Sequence, residues 1–195
     1  MDLVLASASP RRADLLRIAG YRVEIVAAAV DERQHAGEAA EAYVRRLASA
    51  KSAAGQQRIT AAVPVLGADT VVVVDDAVLG KPTDADDAER MLRRLSGRVH
   101  RVVTGVSLRL GAAETGGIDA TAVTMRALTD ADVAWYLATH EWHDKAGGYA
   151  IQGYASRFIT RIDGAYPTVV GLPVERLDGW LEALHARRAC LASPE

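Results

Sequence analysis

The chain is poor in the parts that several common protein classes require. One cysteine, Cys190, in 195 residues excludes an intramolecular disulfide and fits a reducing compartment. Aromatic residues make up only 5% of the chain, so its hydrophobic half is built largely from alanine and valine. Neither charge sign dominates: 23 Lys and Arg against 25 Asp and Glu leave a net charge of -2. No global field therefore draws the chain to nucleic acid or to a membrane, and any anion site must be local. No apolar run reaches the length of a bilayer span. The longest valine-rich stretch, "VPVLGADTVVVV", is interrupted by Asp69. The opening "MDLVLAS" carries an acid where a signal peptide is basic, so a cytoplasmic location is expected. No GxGxxG occurs, which removes support for a dinucleotide fold, and no GxSxG, which disfavours serine hydrolysis. "LGKPTD" resembles a phosphate loop only superficially. Asp75 stands where a Walker loop needs glycine, and Pro82 where it needs Ser or Thr. Repeats, low-complexity segments and long linkers are also absent.

What is present reads as alternating strands and helices in one domain, 1–195, or one domain with two lobes. "LVLAS" is a short apolar strand, and "SPRRADLLRI" is a helix with Ser9 as N-cap and Pro10 at its first position. "YRVEIVAAAV", residues 21–30, reads as a second strand. Residues 38–57 form a helix whose Val44, Leu47, Ala48 and Lys51 share one face. Residues 63–75 read as a β-branched strand interrupted at Gly67–Asp69. Residues 84–97 form a helix with acids first, arginines last and Gly97 as its stop. "RVHRVVTGVSLRL" and "IDATAVTMRAL" flank "GAAETGG" as a long hairpin. A short helix (129–139), a glycine-rich loop (144–153), a strand "RFITRID" and a last helix (173–187) complete the chain. Helices, a hairpin and parallel-compatible strands together imply a mixed sheet flanked by helices.

Several places could carry chemistry. Arg11 and Arg12 occupy the first turn of a helix, where the dipole is already positive and each cation costs about 0.3–1 kcal/mol. Solvated surface arginines are one explanation. An anion site is the other, since helix N-termini bind phosphate and Ser7 and Ser9 add hydroxyls. Asp69 is an acid inside an apolar strand, expensive unless paired, solvated or bound to metal; a turn role beside Gly67 is the alternative. Asp31 and Glu32, at the expected end of the second strand, become interesting if they face Asp69, because Mg²⁺ takes hard oxygen ligands. Lys51 ends an apolar stripe, whereas Lys81 lies in a loop and would meet phosphate as a point charge. "HEWHD" offers His140 and His143, but with neither HExxH spacing nor a third ligand.

Seven stretches, "LASASPRRADLL", "VDE", "RLASAKS", "LGADTVVVVD", "GKP", "DKAGGYAIQG" and "VVGLPV", run in order across nearly the whole chain, from Leu5 to Val174. In this order they resemble the Maf family of nucleoside triphosphate pyrophosphatases, also described as septum-formation-inhibitor-like proteins. The resemblance implies a mixed twisted α/β sheet with two lobes around a cleft, like that of inosine triphosphate pyrophosphatases. It implies hydrolysis of nucleoside triphosphates to monophosphate and pyrophosphate with a divalent metal, Mg²⁺ or Mn²⁺, and a homodimer. By matching position, Asp69 is implied as proton acceptor, and Arg11, Thr70 and Gln152 as the residues that set substrate choice. Glu32, Arg12, Lys51 and Lys81 match further polar positions of the family cleft.

"SPRR", "ADT" and "IQG" resemble the branch that acts on dTTP and UTP. The branch acting on 7-methyl-GTP has an aromatic at the position of Arg11 and an acid at that of Gln152. Base chemistry agrees with the first branch. Uracil and thymine present an N3–H flanked by carbonyls, which one glutamine amide can meet, whereas guanine offers two donors suited to a carboxylate. An aspartate of ordinary pKa, ~3.9, is a weak base at neutral pH, so Asp69 could serve as base or as metal ligand. Two other readings stay open: a nucleotide-binding regulator of cell division without catalysis, and a pyrophosphatase for another base such as CTP or 7-methyl-GTP.

Overall fold

Three parallel strands are laid down first. The computed structural model describes residues 2–60 and 62–192. Met1, Ala61 and residues 193–195, which the expected 1–195 domain includes, lie outside the described residues. Strand β1 (Asp2–Leu5) pairs in parallel with β2 (Arg22–Ile25), Leu3 opposite Val23, and helix α1 (Pro10–Ile18) makes the crossover that parallel pairing requires. Helix α2 (Ala40–Gln56) returns the chain to β3 (Val65–Val74), which pairs in parallel with the other edge of β1, Leu5 opposite Leu66.

The chain then turns antiparallel. Strand β4 (Ala77–Leu79) folds back on β3 through Asp75 and Asp76, at φ 49 and 59, the positive angles of a two-residue hairpin turn. Helix α3 (Ala85–Leu95) leads to β5 (Val99–Leu110) and β6 (Ala113–Met125), neighbours in the sheet joined only by Gly111 and Ala112. After α4 (Asp130–Ala138), β7 (Ile159–Asp163) pairs antiparallel with β6. Helices α5 (Tyr166–Val170) and α6 (Leu177–Ala192) follow. The sheet order is β2-β1-β3-β5-β6-β7, with β4 on β3, so the expected mixed α/β sheet is present. Among the described residues no helix is long and apolar enough to cross a membrane.

The chain divides into two compact units, and β3, β5 and β6 each contribute residues to both. The first comprises Met1–Asp69, Thr104–Asp119 and Gly171–Glu195; its core gathers Leu3, Leu5, Leu16, Leu66, Leu108 and Leu181. The second comprises Thr70–Val103 and Ala120–Val170 around Val72, Leu92, Met125, Tyr136 and Phe158.

Three sequence expectations change. The second strand stops at Ile25, and residues 26–30 have no regular structure. The hairpin turn is two residues long, because "AETGG" belongs to β6. Most consequentially, β3 runs through Gly67–Asp69 without a break. Gly67 is there for close approach: a Cβ on it would lie 2.2 Å from the Ala48 carbonyl oxygen and 2.5 Å from the Ser52 amide nitrogen of α2. A larger residue would push the helix off the strand that carries Asp69.

Candidate active site

Helix α1 begins as its sequence predicts, with Ser9 extended at the N-cap and Pro10 first in the helix. The Ser9 hydroxyl makes no capping hydrogen bond, however, and the first turn holds no acid. The Ser7 hydroxyl instead takes the local donors. Its oxygen accepts from the Ser9 amide at 3.2 Å and from Arg12 Nη1 at 3.1 Å. Arg12 Nε donates to the Gly171 carbonyl at 2.9 Å, and the side chain is 8% exposed. Burial lowers the Arg12 pKa from its ordinary value; the Asp69 carboxylate opposes that, Arg11 adds to it, and Glu32 opposes it. A guanidinium nevertheless stays charged. Arg12 therefore lies within electrostatic reach of Asp69, Arg11 and Glu32.

Lys51 is the hinge of the arrangement. Val44, Leu47, Ala48 and Lys51 are all buried on the face of α2 that sequence spacing predicts. The Lys51 ammonium donates to Asp69 Oδ1 at 2.7 Å and lies 2.6 Å from Glu32 Oε1. This explains an acid in the middle of an apolar strand: Asp69 is buried, and its partner is a buried cation. Asp31 pairs with Arg33 at 2.6 Å, and hydrogen bonds from Arg33 hold its carboxyl well below the usual range.

Sequence reasoning passed over Tyr43. Its hydroxyl donates to the Glu32 carbonyl at 2.6 Å, fixing the irregular segment that presents Glu32. Burial and then the Asp69 and Glu32 carboxylates push the phenol pKa up. The signal was present, since Tyr43, Leu47 and Lys51 repeat every four residues along one helix face.

The remaining candidates belong to the second unit. Thr70 follows Asp69 on β3 and is half-buried; Lys81 and Gln152 are exposed. The Gly147 amide donates to the Gly80 carbonyl at 2.9 Å, joining the loop of Lys81 to the glycine-rich loop that leads to Gln152. Neighbouring His140 and His143 pack around Trp142, and His143 stacks on that indole at 3.7 Å.

No group of three His, Cys, Asp or Glu side chains able to hold a metal occurs among the described residues. Glu32 and Asp69 nevertheless aim oxygens at one shared atom, the Lys51 nitrogen. Two convergent carboxylates suit a small divalent cation that completes its shell with water and substrate phosphate, the usual habit of Mg²⁺.

Fold and site together define an α/β protein with a mixed seven-stranded sheet and a buried mixed-charge cluster at the junction of β3 with α1 and α2. The chain belongs to the family described as Maf-like protein, whose model matches residues 2–184. It is 45% identical over 184 residues to a protein of Photobacterium profundum named dTTP/UTP pyrophosphatase, covering 91% of this chain and 94% of that one. Proteins of the same name from Vibrio cholerae and from Escherichia coli (strain K12) are also 45% identical, over 176 and 173 residues. These matches cover 90% of this chain and 94% of the Vibrio protein, and 89% and 88% for the Escherichia coli pair.

Proposed function

We propose that this chain is a nucleoside triphosphate pyrophosphatase acting on dTTP and UTP. The observation that carries the reading is the Lys51 ammonium shared by Asp69 and Glu32, with buried Arg12 in electrostatic reach of both. Two buried cations beside two carboxylates can serve both halves of a phosphoanhydride cleavage. Cations meet the polyphosphate, and a carboxylate handles water. The names of the 45% identical relatives support the same reaction and the same bases.

In the proposed reaction, a water oxygen bonds to the α-phosphorus and the bond to the bridging oxygen of the β-phosphate breaks. Pyrophosphate leaves with the bond's electron pair. Asp69 orients that water and takes its proton, or would instead help hold a divalent ion, whose contribution there would be to lower the pKa of water. Glu32 and Asp69 are the residues that would hold a divalent ion, Mg²⁺ or Mn²⁺, which neutralises phosphate oxygens when bound. Arg12, Lys51 and Lys81 stabilise the departing charge, with Ser7, Ser9 and the open end of α1 as further donors. Arg11, Thr70 and Gln152 set base choice, the Gln152 amide matching N3–H and one carbonyl of uracil or thymine. A single cytoplasmic domain working as a homodimer belongs to the same reading and rests on family resemblance.

Product analysis with UTP, dTTP, CTP and 7-methyl-GTP, with and without Mg²⁺, tests it. The expected products are UMP or dTMP and pyrophosphate, formed only with metal. Asp69→Asn should lower turnover about 10²–10⁴-fold. Wild-type turnover in that variant would remove both roles assigned to Asp69. Nucleotide binding without hydrolysis would return the chain to the regulator class.

A further inference from the structure

The Gln152 side chain is exposed, so its aim depends on how firmly the backbone around it is held. One carboxylate holds that backbone on both sides. Glu141 Oε1 accepts from the Tyr154 amide at 2.9 Å. Glu141 Oε2 accepts from the Ala155 amide at 3.2 Å and from the Tyr136 hydroxyl at 3.0 Å. The Tyr136 oxygen in turn accepts from the Ala150 amide at 3.3 Å. Gln152 is thus suspended between anchors at 150 and at 154–155, and every anchor ends on the Tyr136–Glu141 pair.

Two further features make the clamp specific. A Cβ on Gly153 would lie 1.7 Å from Glu141 Oε1 and 2.5 Å from its Cδ, so only glycine lets the carboxylate reach the two amides beyond it. Tyr136 is fully buried, and burial followed by the Glu141 charge raises its pKa, keeping the phenol a donor. Just upstream, the Tyr149 hydroxyl meets His100 Nε2 at 2.7 Å, which pins the approach to the loop. Hydrogen bonds to an ionised acceptor are roughly twice as strong as neutral ones. This loop therefore has more rigidity than its glycine content suggests.

We infer that Glu141 is a positioning residue for base recognition, holding the 150–155 backbone so that the Gln152 side chain projects from one fixed place. The inference rests on the assignment of Gln152 to the pyrimidine edge. An amide reads a base edge only when it arrives at the right distance and from the right direction, and a loosely held backbone blurs both. Displacement of about 1 Å in a positioning group can cost roughly 10²-fold in rate.

Glu141→Gln in the full-length chain isolates the effect. It keeps the volume but replaces one acceptor with a donor, so one side of the clamp is lost. The kcat/KM for UTP should fall about tenfold through KM, with kcat held within about twofold, and the preference for UTP over GTP should contract by a similar factor. Gln152→Ala, measured in parallel, should contract that preference, and the double variant should contract it no further. A loss confined to kcat or to thermal stability, with preference intact, overturns the inference.

The two readings separate cleanly. If Gln152→Ala loses the preference while Glu141→Gln keeps it, positioning by Glu141 is wrong and the Gln152 assignment stands. If Gln152→Ala keeps the preference, the assignment fails and takes the inference with it. Should Glu141→Gln fail to fold, Gly153→Ala displaces the same carboxylate with Glu141 still in place. Contraction of the preference supports the clamp, and an unchanged preference overturns it.

Discussion

Helices α3 and α4 of the second unit begin differently from α1 of the first. In the second unit, α3 starts at Asp84, whose side chain accepts from the Asp87 amide at 2.7 Å, with Asp86 and Asp87 in its first turn. Helix α4 starts with a reciprocal capping box between Thr129 and Asp132. In the first unit, α1 has no side-chain cap and no early acid, and Arg11 and Arg12 occupy its first turn. Buried polar groups divide the same way. Arg12, Lys51 and Asp69 are all in the first unit, whereas the second buries His100, Thr121 and Thr168. The second unit caps α3 and α4 with its own side chains. The first starts α1 without a side-chain cap and holds buried charge, a costly arrangement that a bound polyanion would offset.

Removing the shared cation should break this comparison most severely. Lys51→Met preserves the stem packed against Val44 and Leu47 but leaves Asp69 buried without its ammonium partner. Stability should fall by about 3–5 kcal/mol, read as a lower urea midpoint, since removing one member of a buried pair leaves the other uncompensated. A change under ~0.5 kcal/mol would mean that the first unit stores no such imbalance.

His100 sharpens the other side. Burial holds its pKa down at about 4, against 6.5 for the free side chain, so the folded chain keeps it neutral. Between those pH values the unfolded chain binds the extra proton. Stability is therefore full above pH ~6.5 and is lost as pH falls toward ~4, by roughly 3 kcal/mol in all. His100→Phe should flatten that part of the pH profile while lowering stability at pH 7 through the lost Tyr149 bond. Half-buried Glu38, held down at about 2 mainly by hydrogen bonds from Arg46, acts in a lower window, below its ordinary 4.5. A slope between pH 6.5 and 4 that survives in the variant would assign it to other groups.

Local pattern made much of the first unit legible. Pro10 after Ser9 marked a helix start, and the i, i+3, i+4, i+7 spacing put Lys51 on the buried face of α2. An isolated acid among valines marked Asp69 as needing a partner, but its identity was beyond local pattern, because Lys51 is eighteen residues away. Gly67 misled for the same reason. Glycine in a strand is ambiguous between a break and a close approach, and only the path of α2 decides. Glu141 left no trace at all. "HEWHD" drew attention to its histidines, whereas the chemistry lies in a carboxylate whose backbone donors are thirteen and fourteen residues further on.

The smallest effect tests the open helix end itself. If the Ser9 hydroxyl is free for a ligand, Ser9→Ala should cost almost nothing in the unliganded protein, because no capping bond is lost. Thr129→Ala, which breaks a working cap, should cost about 1 kcal/mol, or roughly 2–4 °C in Tm for a chain of this size. With nucleotide the order should reverse. Ser9→Ala removes a phosphate donor and should raise KM several-fold, roughly the ~1 kcal/mol of one hydrogen bond, whereas Thr129→Ala should leave KM unchanged. A Tm loss from Ser9→Ala equal to that from Thr129→Ala would show that α1 relies on Ser9 for its own cap, and the contrast between the two helix starts would disappear.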